Sequence, residues 1–268
     1  MEIYSLSFFL LVSVGLILYY TVFSRCQWVC LLGLSLLFFT ASGRKGLVFL
    51  LFTALTIWLG GLQLAKLDAD SAARRKAPGI TKDEKKAIKA RAVRRKKCLV
   101  AAVLTANFLV LGYFKYWSYF AELLSGAFSA TAPSSLGLVM PLGISFYTFQ
   151  AVGYLIDCYR GRHPAEKNYA RFLLFISFFP QLIQGPINRY GEMAPQLTAR
   201  HIWNWERTKR ALFLFLFGAM KKYAIANLTA PTIAAILDGN DPKLAGSMAL
   251  LAILLYSLQQ YADFSGGI

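Results

Sequence analysis

The apolar residues of this chain come in long uncharged blocks, and that arrangement leaves few folds open. Residues 6–23 and 28–40 carry no charge, and residues 46–65, 98–114 and 136–156 follow as further apolar blocks. Each is at or near the length that crosses a hydrocarbon core of about 30 Å at about 1.5 Å per residue. Shorter apolar runs occupy residues 172–183, 211–220 and 244–258. One small soluble domain cannot bury so many blocks as core helices. Charged residues make up 16% of the chain, against about 25% in soluble domains, so the polar surface needed to face water is missing. The expected fold class is therefore an all-α, multi-spanning integral membrane protein. The leading residues Met1-Glu2-Ile3-Tyr4 contain no Lys or Arg, unlike the basic start of a secretory signal. Residues 6–23 accordingly read as a retained first span.

The formal net charge of +16 is concentrated in one place. Between Lys66 and Lys97 basic residues dominate, and the only acids are Asp68, Asp70, Asp83 and Glu84. A basic run between two spans follows the positive-inside rule, which places residues 66–97 in the cytoplasm, where they can lie against anionic headgroups. No nucleic-acid partner is expected. Thr81-Lys82-Asp83-Glu84 has the form of a capping box, opening a helix through Arg91. Taking this loop as cytoplasmic sends 46–65 inward and 98–114 outward. It leaves Lys115 among Tyr113, Phe114, Tyr116 and Trp117 at the far interface, where aromatics gather and lysines snorkel. Residues 136–156 return inward and deliver Asp157, Arg160, Arg162 and Lys167 to the cytoplasm. No internal repeat or linker divides the chain, so residues 1–268 are expected to form one membrane domain. Cys26, Cys30, Cys98 and Cys158 have no metal or redox spacing, and neither a disulfide nor a metal is expected.

Polar residues inside such a chain are where chemistry can sit. In Phe178-Phe179-Pro180-Gln181-Leu182-Ile183-Gln184-Gly185-Pro186-Ile187-Asn188-Arg189-Tyr190, the two prolines and Gly185 forbid one unbroken helix. Irregular backbone at membrane depth is tolerated only inside protein or around a water-filled cavity. Gln181, Gln184, Asn188 and Arg189 are thus candidates to line a path, or simply satisfy an interfacial elbow. Tyr256, Gln260 and Asp263 share a helical face, and an ionisable residue within a span is a candidate functional residue. His163 and His201 both lie in charged, interfacial stretches, poor places for a buried general base. From the residues alone, enzyme and transporter stay open.

Longer stretches carry a resemblance. Pro141-Leu142-Gly143-Ile144-Ser145-Phe146-Tyr147-Thr148-Phe149-Gln150 is similar to a signature of membrane-bound O-acyltransferases, in the branch of bacterial alginate O-acetylation and D-alanyl transfer proteins. Tyr154-Leu155-Ile156-Asp157-Cys158-Tyr159-Arg160-Gly161, Phe179 to Ile187, Gly218-Ala219-Met220-Lys221-Lys222 and Asp263-Phe264-Ser265-Gly266 resemble later blocks in the same order. The resemblance implies a helical membrane bundle with re-entrant segments. It also implies transfer of an acyl group, acetyl first and D-alanyl second, to a hydroxyl of a cell-surface or exported polysaccharide. A transporter or flippase of a lipid-linked glycan is the alternative. No bound cofactor is implied; the donor would be an acyl thioester or carrier-linked acyl group. Implied partners are membrane lipids, the polysaccharide acceptor, and an acyl carrier or companion extracytoplasmic acetylation proteins. The implied location is a bacterial cell membrane. In the family the catalytic histidine follows the Asp-Phe-Ser-Gly block, so it is expected beyond Ile268, and a chain ending there is expected to be inactive alone. The residues expected to line the substrate path are Gln150, Gln181, Gln184, Asn188, Arg189 and Asp263.

Overall fold

The computed structural model describes residues 6–78, 80–128, 142–237 and 246–268, without the side chains of residues 44, 45, 118–128, 183 and 184. Among the described residues there are helices and no strand. In chain order they are α1 (Leu6–Tyr20), α2 (Gln27–Ser42), α3 (Arg44–Lys76), α4 (Lys82–Phe128), α5 (Ile144–Tyr159), α6 (Tyr169–Ser177), α7 (Phe179–Gln184), α8 (Tyr190–Thr198) and α9 (Trp205–Met220). A π-helical segment, Lys221–Ala226, then leads into α10 (Asn227–Leu237), and α11 (Gly246–Gly267) follows. Among the described residues three stretches are long and apolar enough to cross a membrane: Gly46–Lys76, Lys82–Trp117 and Trp205–Leu237. α1 and α2 are apolar but shorter. The blocks at 136–156 and 244–258 begin outside the described residues. Large apolar side chains lie exposed along these helices, Leu109 on α4 and Leu214 on α9 among them. With the acyl chains of a bilayer as solvent, that exposure costs nothing. The chain is an all-α membrane protein.

The chain divides into two compact units, Met1–Ile183 with Ile187–His201, and Gln184–Pro186 with Ile202–Ile268. In the first, α3 and α5 carry the core. Leu50, Ala54, Ile57 and Leu64 of α3 pack with Tyr147, Ala151 and Leu155 of α5 and with Phe172 and Phe175 of α6. A smaller cluster joins Phe8, Phe38 and Phe179.

The capping box forms as its sequence requires. The Thr81 backbone N–H donates to Glu84 Oε2 at 2.9 Å, and the Glu84 N–H donates to Thr81 Oγ1 at 3.3 Å. Those bonds hold the Glu84 carboxyl below its ordinary range. The helix they open does not stop at Arg91. α4 continues for 47 residues, because no Gly or Pro interrupts it before Gly112 and Lys, Arg, Ala and Leu are strong helix formers. The basic stretch is thus the end of a spanning helix, tied to α3 by Lys96 Nζ and Asp68 at 2.8 Å. Deeper in the same helix pair, Asn107 donates to Thr56 Oγ1 at 3.1 Å and to the Val103 carbonyl at 2.9 Å. Its burial therefore leaves the amide satisfied.

The apolar run at 172–183 is not one helix. It breaks at Phe178, whose ψ of 106° leaves the helical region. In a continuous helix Pro180 would clash with the Ile176 carbonyl and offer it no N–H. The break moves Pro180 into the first turn of α7, where no N–H is needed. Ser35 Oγ on α2 then accepts one of the freed donors, the Phe179 N–H at 3.3 Å.

Candidate functional site

A polar seam runs through the first unit where α5 meets the break between α6 and α7. α5 is placed by Gly143, which has φ of 67° and sits so close that a Cβ there would lie 3.1 Å from the Leu182 carbonyl. A side chain at this position is therefore both strained and crowded. Because α6 ends at Ser177, the carbonyls of its last turn have no partner within the helix. The buried Gln150 Nε2 donates to one of them, Phe175 O, at 3.1 Å, and to Gln181 Oε1 at 3.4 Å. Among the described residues two hydroxyls on these helices are buried without a hydrogen-bond partner: Tyr147 Oη, one turn before Gln150 in the sequence of α5, and Ser177 Oγ, two residues beyond Phe175. An unmatched buried polar group costs about 1–3 kcal/mol.

A second feature is an open cleft of about 800 Å³ lined by Trp58, His163, Glu166, Lys167, Asn168 and Arg171, among others. Its wall is the loop between α5 and α6, fastened through Glu166. The Glu166 carbonyl accepts from Trp58 Nε1 at 2.8 Å, and its N–H donates to Tyr154 Oη at 2.8 Å. Its carboxylate accepts from Tyr190 Oη and from the Asn168 N–H, each at 2.8 Å. Burial, then the bond to Glu166 and its negative charge, push the Tyr190 hydroxyl above its ordinary range. Asn168 caps α6 by accepting from the N–H of Ala170 at 2.9 Å.

The residues expected to line one path are divided between the two units. Gln150 and Gln181 meet. Gln184 ends α7, and its side chain lies outside the described residues. Asn188 points its amide at Met193 Sδ, 3.7 Å away, and Arg189 is exposed just before α8. Asp263 belongs to the second unit, where it forms an ion pair with Lys222 at 2.8 Å. The two histidines hold backbone. His163 Nδ1 lies 2.6 Å from the Pro164 carbonyl, and His201 Nε2 lies 2.8 Å from the Gln196 carbonyl. Gln27 further clamps His201, accepting from its N–H at 2.7 Å.

Sequence reasoning missed two lysines in the second unit. Lys221 and Lys222 are the only charges between Ala211 and Leu237, and the rule that singled out Asp263 applies equally to them. They begin the π-helical segment, and both reach α11: Lys222 to Asp263, and Lys221 to Ser265 Oγ at 3.4 Å. The backbones of α9 and α11 touch at two glycines. A Cβ on Gly218 would lie 2.5 Å from Gly266 O, and one on Gly266 would lie 2.7 Å from Gly218 O.

Comparison with known proteins gives the context for these features. The chain is 33% identical over 166 residues to the probable alginate O-acetylase AlgI of Azotobacter vinelandii, 61% of this chain and 33% of that protein. It is 33% identical over 189 residues to the peptidoglycan O-acetyltransferase of Helicobacter pylori, 61% and 36% respectively. Over 142 residues it is 31% identical to the teichoic acid D-alanyltransferase of Bacillus subtilis, 48% and 33%. Over about 60% of its length the chain is similar to bacterial O-acyltransferases. It spans about a third of the length of these curated relatives. No protein-family model and no solved structure matches it. The acyltransferase resemblance of the ordered motifs from Pro141 onward is thus matched by homology over about 60% of the chain.

Proposed function

We propose that this chain is part of a cell-membrane O-acyltransferase that moves an acyl group, acetyl by preference, onto a hydroxyl of a cell-surface or exported polysaccharide. The observation that carries the reading is the identity shared with alginate and peptidoglycan O-acetylating proteins. In such a transfer the acceptor hydroxyl oxygen attacks the acyl carbonyl carbon. The bond to the leaving thiol or carrier breaks, and the hydroxyl proton passes through a base to the leaving group. Donors must also meet the developing oxyanion. Tyr147 and Ser177 offer hydroxyls within the fold for that purpose. Neither His163 nor His201 is assigned as the base, since both are tied to backbone carbonyls. The donor is an acyl thioester or a carrier-linked acyl group, and the cleft beside Lys167 and Arg171 lies on the side where the basic loop places the cytoplasm.

The test uses membranes bearing the protein from its own gene, incubated with radiolabelled acetyl thioester and a hydroxyl-bearing polysaccharide. Base-labile label in the polymer is expected, and Arg189→Ala is expected to lower it without lowering protein level. Unchanged transfer would remove Arg189 from the path. Label from D-alanine in place of acetate would change the acyl group, as the similarity to the teichoic acid D-alanyltransferase allows. Movement of a lipid-linked sugar with no ester formed would replace acyl transfer by transport.

A further inference from the structure

We propose that Lys221 and Ser265 form an anion-binding site within the membrane domain, taking a carboxylate or phosphate oxygen of a substrate. The proposal uses the acyl-transfer reading only to name which substrates are candidates.

Depth is the first part of the case. Trp205–Leu237 runs as helix, π-helical segment and helix, with Arg207, Lys209 and Arg210 at one end. From Arg210 to Lys221 the rise is roughly 16 Å at about 1.5 Å per residue, halfway into a core of about 30 Å. The intervening turns expose apolar side chains around most of their circumference, with Phe213 and Leu214 about 70% exposed, as lipid contact requires. A headgroup phosphate does not reach that depth.

Charge is the second part. An ammonium in the membrane interior is costly and needs a counter-charge. Lys222 has one in Asp263 at 2.8 Å. Lys221, partly buried, has a hydroxyl at 3.4 Å and two ring faces, Phe217 at 4.7 Å and Tyr261 at 5.9 Å. Among the described residues no carboxylate lies within 4.0 Å of it. The four groups Lys221, Lys222, Asp263 and Ser265 therefore carry one positive charge in excess at this depth.

Backbone geometry is the third. Consecutive residues of an α-helix point about 100° apart, and one lysine would have sufficed to pair Asp263. The π-helical segment brings both toward α11, and such segments are rare and frequent at functional sites. The Gly218–Gly266 contact fixes the two backbones against each other, so the ammonium and the Ser265 hydroxyl are held in place as two donors for one anionic oxygen.

The experiment measures thermal unfolding of the intact protein in detergent at constant ionic strength. Sodium chloride is the reference. The probes are inorganic phosphate, a trimer of a hexuronic acid with its neutral methyl ester, and a phosphate-bearing acetyl thioester. Stabilisation of the wild type by phosphate and by the acidic trimer, but not by the ester, is expected. Lys221→Met should weaken the apparent affinity by about tenfold or more. Lys221→Arg should retain most of it, Ser265→Ala should weaken it, and exposed Lys209→Met should leave it unchanged. A response to the trimer places the site on the acceptor, and a response to the thioester places it on the donor. No response of the wild type to any anion overturns the proposal, as does an equal response from Lys221→Met. If Lys221→Met does not fold, an unchanged response in Ser265→Ala with Lys221→Arg unresponsive overturns it. Anion stabilisation without acyl transfer would refute the transferase reading and leave this site standing.

Discussion

Gly218→Ala is the substitution that most directly probes the second unit. A Cβ at position 218 would sit 2.5 Å from the Gly266 carbonyl oxygen, against an ordinary contact of at least 3.4 Å. The helices must therefore part by about 0.9 Å, since the obstacle is backbone and no rotamer relieves it. Overpacking of that kind costs about 1–3 kcal/mol. The same separation stretches the Lys222–Asp263 contact from 2.8 Å toward the limit of an ion pair, which adds to the loss. Gly266→Ala meets Gly218 O at 2.7 Å and should cost somewhat less. The double variant should cost clearly less than the two losses added, because one separation accommodates both methyls. Unfolding of the purified protein in mixed micelles, titrated with a denaturing detergent, reads all three. Gly218→Ala within about 0.5 kcal/mol of wild type, or strict additivity of the pair, would refute the close contact.

Gln150→Leu should destabilise the first unit by about 1–3 kcal/mol, through the unmatched Phe175 carbonyl. The same unfolding titration checks it, and an unchanged midpoint would count against the seam. Tyr190→Phe removes a bond to the Glu166 carboxylate and should cost about 1.5–3 kcal/mol near neutral pH. The Tyr190 hydroxyl is raised in the fold, so its contribution is full below the unfolded value of about 10 and fades as pH climbs through the folded value. Wild type and variant should converge in alkali, and parallel pH curves would exclude this origin. Glu84 is shifted the other way, so its support of the α4 N-terminus is present above about pH 4.3 and lost as pH falls through the lower folded value. Amide exchange near residues 82–85 should accelerate in Thr81→Ala at neutral pH, and wild type should match it only in acid.

Features that rest on local chemistry were legible in the sequence. The charge-free blocks predicted helices, Thr81 and Glu84 predicted a cap, and the two prolines with Gly185 predicted a broken backbone. The end of the basic helix was not legible, because Lys and Arg in number signal a loop by composition while favouring a helix by propensity. The break that Pro180 demands was predicted, but its position at Phe178, two residues earlier, was not, because Phe178 gives no local warning. Gln150 and Gln181 were each singled out, yet their meeting depends on packing between segments 31 residues apart. Lys221 and Lys222 were visible as charges in an apolar run. What the sequence hid was the π-helical register that turns both toward one neighbour.

The continuity of α4 has a consequence for where such a protein resides. Between Lys97 and Lys115 the helix offers 17 apolar-side residues, 98–114, a length of roughly 26 Å. Cations mark both limits, Lys96 over Tyr159 at 5.4 Å and Lys115 over Tyr116 at 5.5 Å. With no hinge between them, the helix cannot lengthen to suit a thicker bilayer, and tilting only shortens its reach. Each ångström of excess thickness costs a fraction of a kcal/mol, borne by lipids that must thin around it. α4 therefore acts as a fixed gauge, favouring thin patches of membrane and setting the depth of every group carried by the first unit.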